Sequence, residues 1–352
     1  CRDIQPLRST TRDVSATMKS CSRGHLAVIV AAVATSGLWS SELHADPSVL
    51  PPSFASNYGE NETPRSAAMG GALHALGAGT TAPFLNPANM GLTRVYHVQA
   101  LGQFMPEANK QLYGATVVDS SRRLSGGFSF VGGLMDPDGV DRSVMDGRIS
   151  VAFAIAQQVH LGLTGRYLNI SQQGLGPLGT SRASGGLLDP DSPPSGRKPL
   201  INDVSFDAGL TVKVTPGLNI AAFGHNLSYP NHGFLPTVVG GALGYANDQF
   251  ALEVDGVADL SSYTRPSARI MGGGEYMVAG HVPLALGYRF DLLDPTLSRA
   301  SHQLSAGMGY VSRQFGLRVA VRRTLVGPSA TSILASVSYH LESSGAVAIQ
   351  PY

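Results

Sequence analysis

The chain has 352 residues, and 25 Lys and Arg against 24 Asp and Glu leave a formal net charge of +1, which gives no basis for nucleic-acid binding. Its two cysteines, Cys1 and Cys21, both precede the expected mature start, so neither a disulfide framework nor a cysteine-ligated metal site is available. Beyond the leader no run of about eighteen apolar residues occurs, which argues against membrane helices.

Residues 1–17 read as an upstream extension, and residues 18–45 as a secretory signal peptide. Met18 would start it, Lys19 and Arg23 supply the positive region, 26–38 is the apolar core, and Leu43-His44-Ala45 fits a cleavage site. Cys21 lies before the apolar core, where it is not placed as a lipoprotein acceptor. Residues 46–94 then show no sustained alternation. They hold Met69-Gly70-Gly71-Ala72 within a run of small residues, and Asn86-Pro87-Ala88 just before the first strand. Small residues let a segment pack inside a barrel. Asn-Pro favours a turn, and the Asn amide can satisfy backbone groups that a buried irregular segment leaves open.

From residue 95 onward, fourteen stretches read as strands: 95–104, 111–118, 123–133, 147–156, 159–170, 202–214, 217–226, 237–246, 249–257, 267–278, 281–290, 301–311, 314–323 and 331–341. The clearest is 203–214, where Val204, Phe206, Ala208, Leu210, Val212 and Val214 oppose Ser205, Asp207, Gly209, Thr211 and Lys213. Successive side chains of a strand point to opposite faces, so the pattern is one apolar and one polar face. Residues 148–155 and 315–322 repeat it. Connections at 119–122, 157–158, 215–216, 247–248, 279–280 and 312–313 are tight. Those near 105–110, 134–146, 171–201, 227–236, 258–266, 291–300 and 324–330 are longer. Short turns on one side and longer loops on the other, with an even strand count, predict an all-β fold. It is a transmembrane antiparallel up-and-down barrel over 95–341, in contact with the lipid of a bacterial outer membrane, with 46–94 as a plug in its lumen and 342–352 as a tail.

Arg or Lys facing lipid near the midplane costs roughly 2–4 kcal/mol, so charges are expected inside. The expected lumen set is Arg148, Arg166, Asp207, Lys213, Glu253, Asp255, Arg269, Glu275, Arg289, Arg318 and Arg322. Mixed signs suit mutual pairing better than a single-sign channel. Gly126-Gly127 and Gly132-Gly133 give the third strand the freedom to bulge, or simply room for the plug. Loop 227–236 offers apolar Leu227, Tyr229, Phe234 and Leu235, and loop 171–201 offers Leu175, Leu178, Leu187 and Leu188.

Chemistry is poorly supported. Gly174–Gly179 spells G-x-G-x-x-G, but in a loop with Pro177 and without strand–turn–helix context. Asp136, Asp138 and Asp141 lack the spacing and closing Glu of a calcium loop. The ten histidines show no metal-ligand spacing, and no G-x-S-x-G elbow occurs. No catalytic residue, metal or cofactor is therefore expected.

Met69-Gly70-Gly71-Ala72 followed by Asn86-Pro87-Ala88 before a fourteen-stranded barrel resembles the plug of the FadL-like outer-membrane transporters, a superfamily that includes PorV-type proteins. The resemblance covers the plug in detail and the barrel by strand count. It implies passive uptake of small hydrophobic, fatty-acid-like compounds, with the plug at those residues as gate and a lateral opening in the third strand at Gly126 and Gly127. Capture would fall to Leu227, Tyr229, Phe234 and Leu235. The alternative it implies is a PorV-like barrel that docks secreted protein partners and transports nothing.

Overall fold

The computed structural model describes residues 61–136, 141–172, 198–228, 235–261, 266–294, 299–326 and 330–342. The expected leader, residues 46–60 of the plug, most of loop 171–201, Tyr229, Phe234 and nearly all of the expected tail lie outside them.

Fourteen antiparallel strands form the wall. The first seven are β1 (Val95–Met105), β2 (Lys110–Asp119), β3 (Leu124–Met135), β4 (Arg142–Ala156), β5 (Val159–Gln172), β6 (Lys198–Thr215) and β7 (Leu218–His225). The rest are β8 (Val238–Ala246), β9 (Phe250–Asp259), β10 (Ser267–Val278), β11 (Val282–Asp294), β12 (Arg299–Val311), β13 (Phe315–Val326) and β14 (Thr331–Glu342). Each pairs with its neighbours in sequence, and β14 closes on β1 from Val95↔Glu342 to Phe104↔Ile333. Closure leaves no unpaired edge, which a sheet in hydrocarbon requires.

The expected strands all occur, but several run further on the loop side. β4 begins at Arg142, β6 at Lys198, and β11 and β13 extend to Asp294 and Val326. There the outward face is no longer continuously apolar, so hydrophobic alternation understates the strand. As a result some outward connections are as short as the turns below, such as 106–109 and 327–330. The length contrast is concentrated in the connections between β5 and β6 and between β7 and β8.

The pattern of faces is inverted relative to a soluble protein. Along β6, Asp203, Ser205, Asp207 and Thr211 are buried while Phe206 is 58% exposed. Ile149, Leu286 and Leu163 stand exposed on the same outer surface. Tyr96, Tyr245, Tyr276, Tyr310 and Tyr339, each 40–53% exposed, line the outside from β8 round to β1 near the tight-turn end. Amphipathic aromatics gather at that level where hydrocarbon gives way to headgroups.

Residues 61–94 fill the lumen. Thr63 caps a short helix, Pro64–Ala68, in a reciprocal box with Ser66. The chain then turns through Gly70 and Gly71, at φ +74° and +93°, a conformation side chains rarely adopt. A 3-10 turn (Gly79–Thr81), a helical turn (Ala82–Leu85) and a second 3-10 stretch (Pro87–Leu92) follow. From 61 to 90 every residue is buried except the half-buried Arg65 and Ala78.

Candidate functional site

The plug is seated by shape first. Gly273 on β10 and Gly287 on β11 are cross-strand partners, and a Cβ on either would strike the backbone of Met69 and Gly70. Gly162 on β5 and Gly209 on β6 are also partners, and there the obstacle would be Asn86-Pro87-Ala88. Each glycine pair is thus a dent in the wall, one for each half of the motif. Gly127 faces inward in the same way, with the Met90 sulfur 2.9 Å from where its Cβ would be.

Hydrogen bonds then fix the seat. Asn86, fully buried, donates through Nδ2 to His74 O at 2.7 Å and to Thr211 Oγ1 at 3.0 Å, and its Oδ1 accepts from Ala88 N at 3.1 Å. Asn89 donates to the same His74 O at 2.9 Å. Two carboxylates on β9 clasp a run of consecutive amides. Asp255 Oδ2 accepts from Leu73 N at 3.2 Å and from His74 N at 3.4 Å, and Glu253 accepts from Ala75 N at 2.6 Å and Leu76 N at 3.0 Å. His74 Nδ1 also lies 2.7 Å from Asp255, and its ring stacks on Phe223.

Of the other inward charges, Lys213 donates to Leu92 O at 3.2 Å, and several arginines pair with carboxylates. Asp146 holds Arg148 at 3.0 Å, Arg166 at 2.6 Å and the plug's Asn61 at 2.9 Å. Arg148 reaches on to Pro83 O and Phe84 O, each at 3.3 Å. Asp207 lies 3.3 Å from His225. Asp291 bridges Arg269 and Arg289 at 2.6 and 3.1 Å. Glu275 binds the plug's Arg65 at 2.9 Å and Arg318 at 2.5 Å, and Arg322 binds Glu62 of the plug. Sequence reasoning missed Asp146, Asp291, Glu62 and Arg65. For Asp146 the signal was present: Arg142, Val144 and Asp146 continue the phase of Arg148.

Apolar contacts lie beside these ion pairs, where the plug packs on inward residues such as Leu101, Leu112 and Leu334, and a separate cluster stands at the mouth. Met135, Leu168, Ile170, Ile201 and Leu235 form a buried apolar cluster at the loop ends of β3, β5 and β6. Of the residues expected to capture a ligand, Leu235 belongs to this cluster, fully buried, and Leu227 is 44% exposed outside it. Tyr229 and Phe234 fall outside the described residues.

Below the mouth the described residues leave little space. A cavity of about 20 Å³ lies above the plug among Glu62, His74, Phe223, Met271 and Arg289, room for about one water. The wall is a closed ring of strands. At Gly126 and Gly127, where the lateral opening is expected, β3 keeps an unbroken register with β2 (Val118↔Gly127) and β4 (Gly127↔Ser150). Gly127 makes room for Met90 and Pro83, while a Cβ on Gly126 would meet nothing within 4 Å. Among the described residues no group of three His, Cys, Asp or Glu is placed to hold a metal.

No protein-family model and no curated protein matches the sequence. Solved structures do match by fold. A channel described as the CymD monoaromatic hydrocarbon channel superposes with TM-score 0.62 at 15% identity, over 81% of this chain and 98% of that one. The Ralstonia pickettii toluene transporter TbuX gives 0.57 at 15% identity, over 82% and 100%. A Pseudomonas aeruginosa FadL homologue gives 0.53 at 14% identity, over 80% and 98%. The fold is therefore FadL-like.

Proposed function

We propose that this chain is a bacterial outer-membrane barrel that takes up small hydrophobic compounds by passive diffusion past its plug. The observation that carries the proposal is the buried apolar cluster at the mouth, built from the loop ends of β3, β5 and β6 with Leu235. The apolar exterior with its row of tyrosines supports the location, and the hydrocarbon-channel and toluene-transporter descriptions of its structural neighbours support the cargo class. Monoaromatic hydrocarbons are the first cargo to test and fatty acids the second. No observation favours a PorV-like docking role over uptake.

A compound would partition among Met135, Leu168, Ile170 and Ile201 by displacing Leu235. The next step needs the plug to shift, since 20 Å³ admits no aromatic ring. Passage beside the plug is cheaper than passage through the wall at Gly126 and Gly127. Water in the lumen can replace the plug's hydrogen bonds, whereas broken ladder bonds facing hydrocarbon find no partner. The test is uptake of labelled toluene, and separately of a labelled fatty acid, by cells making the full chain, its Leu235→Asp variant or neither. Faster uptake that the variant loses is expected. Uptake equal to that of cells lacking the chain, for both compounds, sinks the proposal.

A further inference from the structure

A second cavity, of about 90 Å³, lies at the other end of the lumen, between the plug and the tight-turn ends of β1, β13 and β14. Its size decides against the hydrophobic cargo. An apolar cavity of about 150 Å³ takes one benzene, so this one is too small for an aromatic ring but holds a few waters or one small ion. Its lining decides against dryness. Arg65, Arg318, His97 and His340 line it together with threonine hydroxyls, and no Asp or Glu does. The two histidine rings stand edge to face, 5.6 Å apart.

His97 supplies the directional element. Thr80 N donates to its Nδ1 at 3.4 Å, which puts the ring proton on Nε2. That Nε2 is buried and has no hydrogen-bond partner. A buried donor left open costs about 1–3 kcal/mol, so the site gains by receiving an acceptor. Guanidiniums offer planar forks suited to an oxyanion; Arg65 and Arg318 share Glu275 at 2.9 and 2.5 Å, and two cations on one carboxylate leave the local sign positive.

We propose that this cavity binds one small oxyanion, a carboxylate or a phosphate, with His97 Nε2–H and the Arg65 and Arg318 guanidiniums as donors. The site sits on the far side of the plug from the mouth and does not depend on what the lumen passes.

The test is direct binding to the full chain in non-ionic detergent, with labelled histidines followed by NMR. Acetate and inorganic phosphate are titrated separately, with chloride holding ionic strength constant. A saturable shift of the His97 and His340 ring signals is expected with at least one of them. Acetate alone would assign the site to carboxylates, and phosphate would assign it to phosphate groups. Ser338→Leu, which fills the cavity from β14, should weaken binding at least about tenfold. Ala246→Leu does the same from β8 and replaces it if Ser338→Leu fails to fold. No saturable shift with either anion, a shift that chloride reproduces, or undiminished binding in a folded cavity-filling variant overturns the proposal.

Discussion

Replacing Asn86 with Ala should unseat the plug and leave the barrel standing. The side chain is fully buried and makes three hydrogen bonds. Two of its partners keep another contact: His74 O retains Asn89 at 2.9 Å, and Thr211 Oγ1 still donates to Asn89 Oδ1 at 2.6 Å. Ala88 N keeps none, and a buried amide so orphaned costs about 1–3 kcal/mol. Each of the other two lost bonds adds roughly 0.5–1.5 kcal/mol, less whatever the surviving contacts recover. A net loss of about 2–4 kcal/mol multiplies the unseated fraction roughly thirty- to several-hundred-fold. The assay is leakage of a small sugar through proteoliposomes, beside the temperature at which the barrel loses its compact mobility on gels. Leakage should rise sharply and that temperature should hold. Leakage equal to the parent's, or a loss confined to barrel stability, would refute the idea that Asn86 acts on the seat.

Three further outcomes follow from the same contacts. Gly209→Val drives a side chain into Asn86 and Pro87 while suiting a strand, so leakage should rise with the barrel intact in the same assay. Glu253→Gln with Asp255→Asn weakens the clasp on the amides of 73–76, because neutral acceptors bind less strongly than charged ones; added protease should then cut within 61–94 faster than in the parent. Ile149→Arg puts a cation on the outer face at mid-strand and should cost roughly 2–4 kcal/mol in urea unfolding from vesicles, whereas a cost near zero would place that face outside the hydrocarbon.

The strands were legible because period-two alternation is a local property of sequence, and all fourteen were found. Their outer ends were not, since alternation fades where the wall leaves the apolar belt, and Asp146 was lost to a loop for that reason. The inward charges could be placed on their face but not given partners. Glu253 and Asp255 turned out to hold plug amides rather than arginines. The glycine dents were invisible in principle. Gly162 and Gly209 stand far apart in sequence, and only the register of β5 on β6 makes them one surface. Loop 227–236 was named as apolar, yet which of its side chains turns inward depends on the strand ends it spans.

The plug precedes every strand in the chain, and some of its partners come late. Ala68 O accepts from Ser305, 237 residues on, and Glu62 pairs with Arg322, 260 residues on. The dent for Met69 and Gly70 needs β10 and β11 already in register, and closure needs β14 beside β1. A segment made before every strand is thus among the last that can settle. Contacts so distant in sequence make for slow assembly. Until the wall closes, Met69 to Met90 must be kept from other apolar surfaces, so maturation of this barrel should be timed by the arrival of its C-terminal strands.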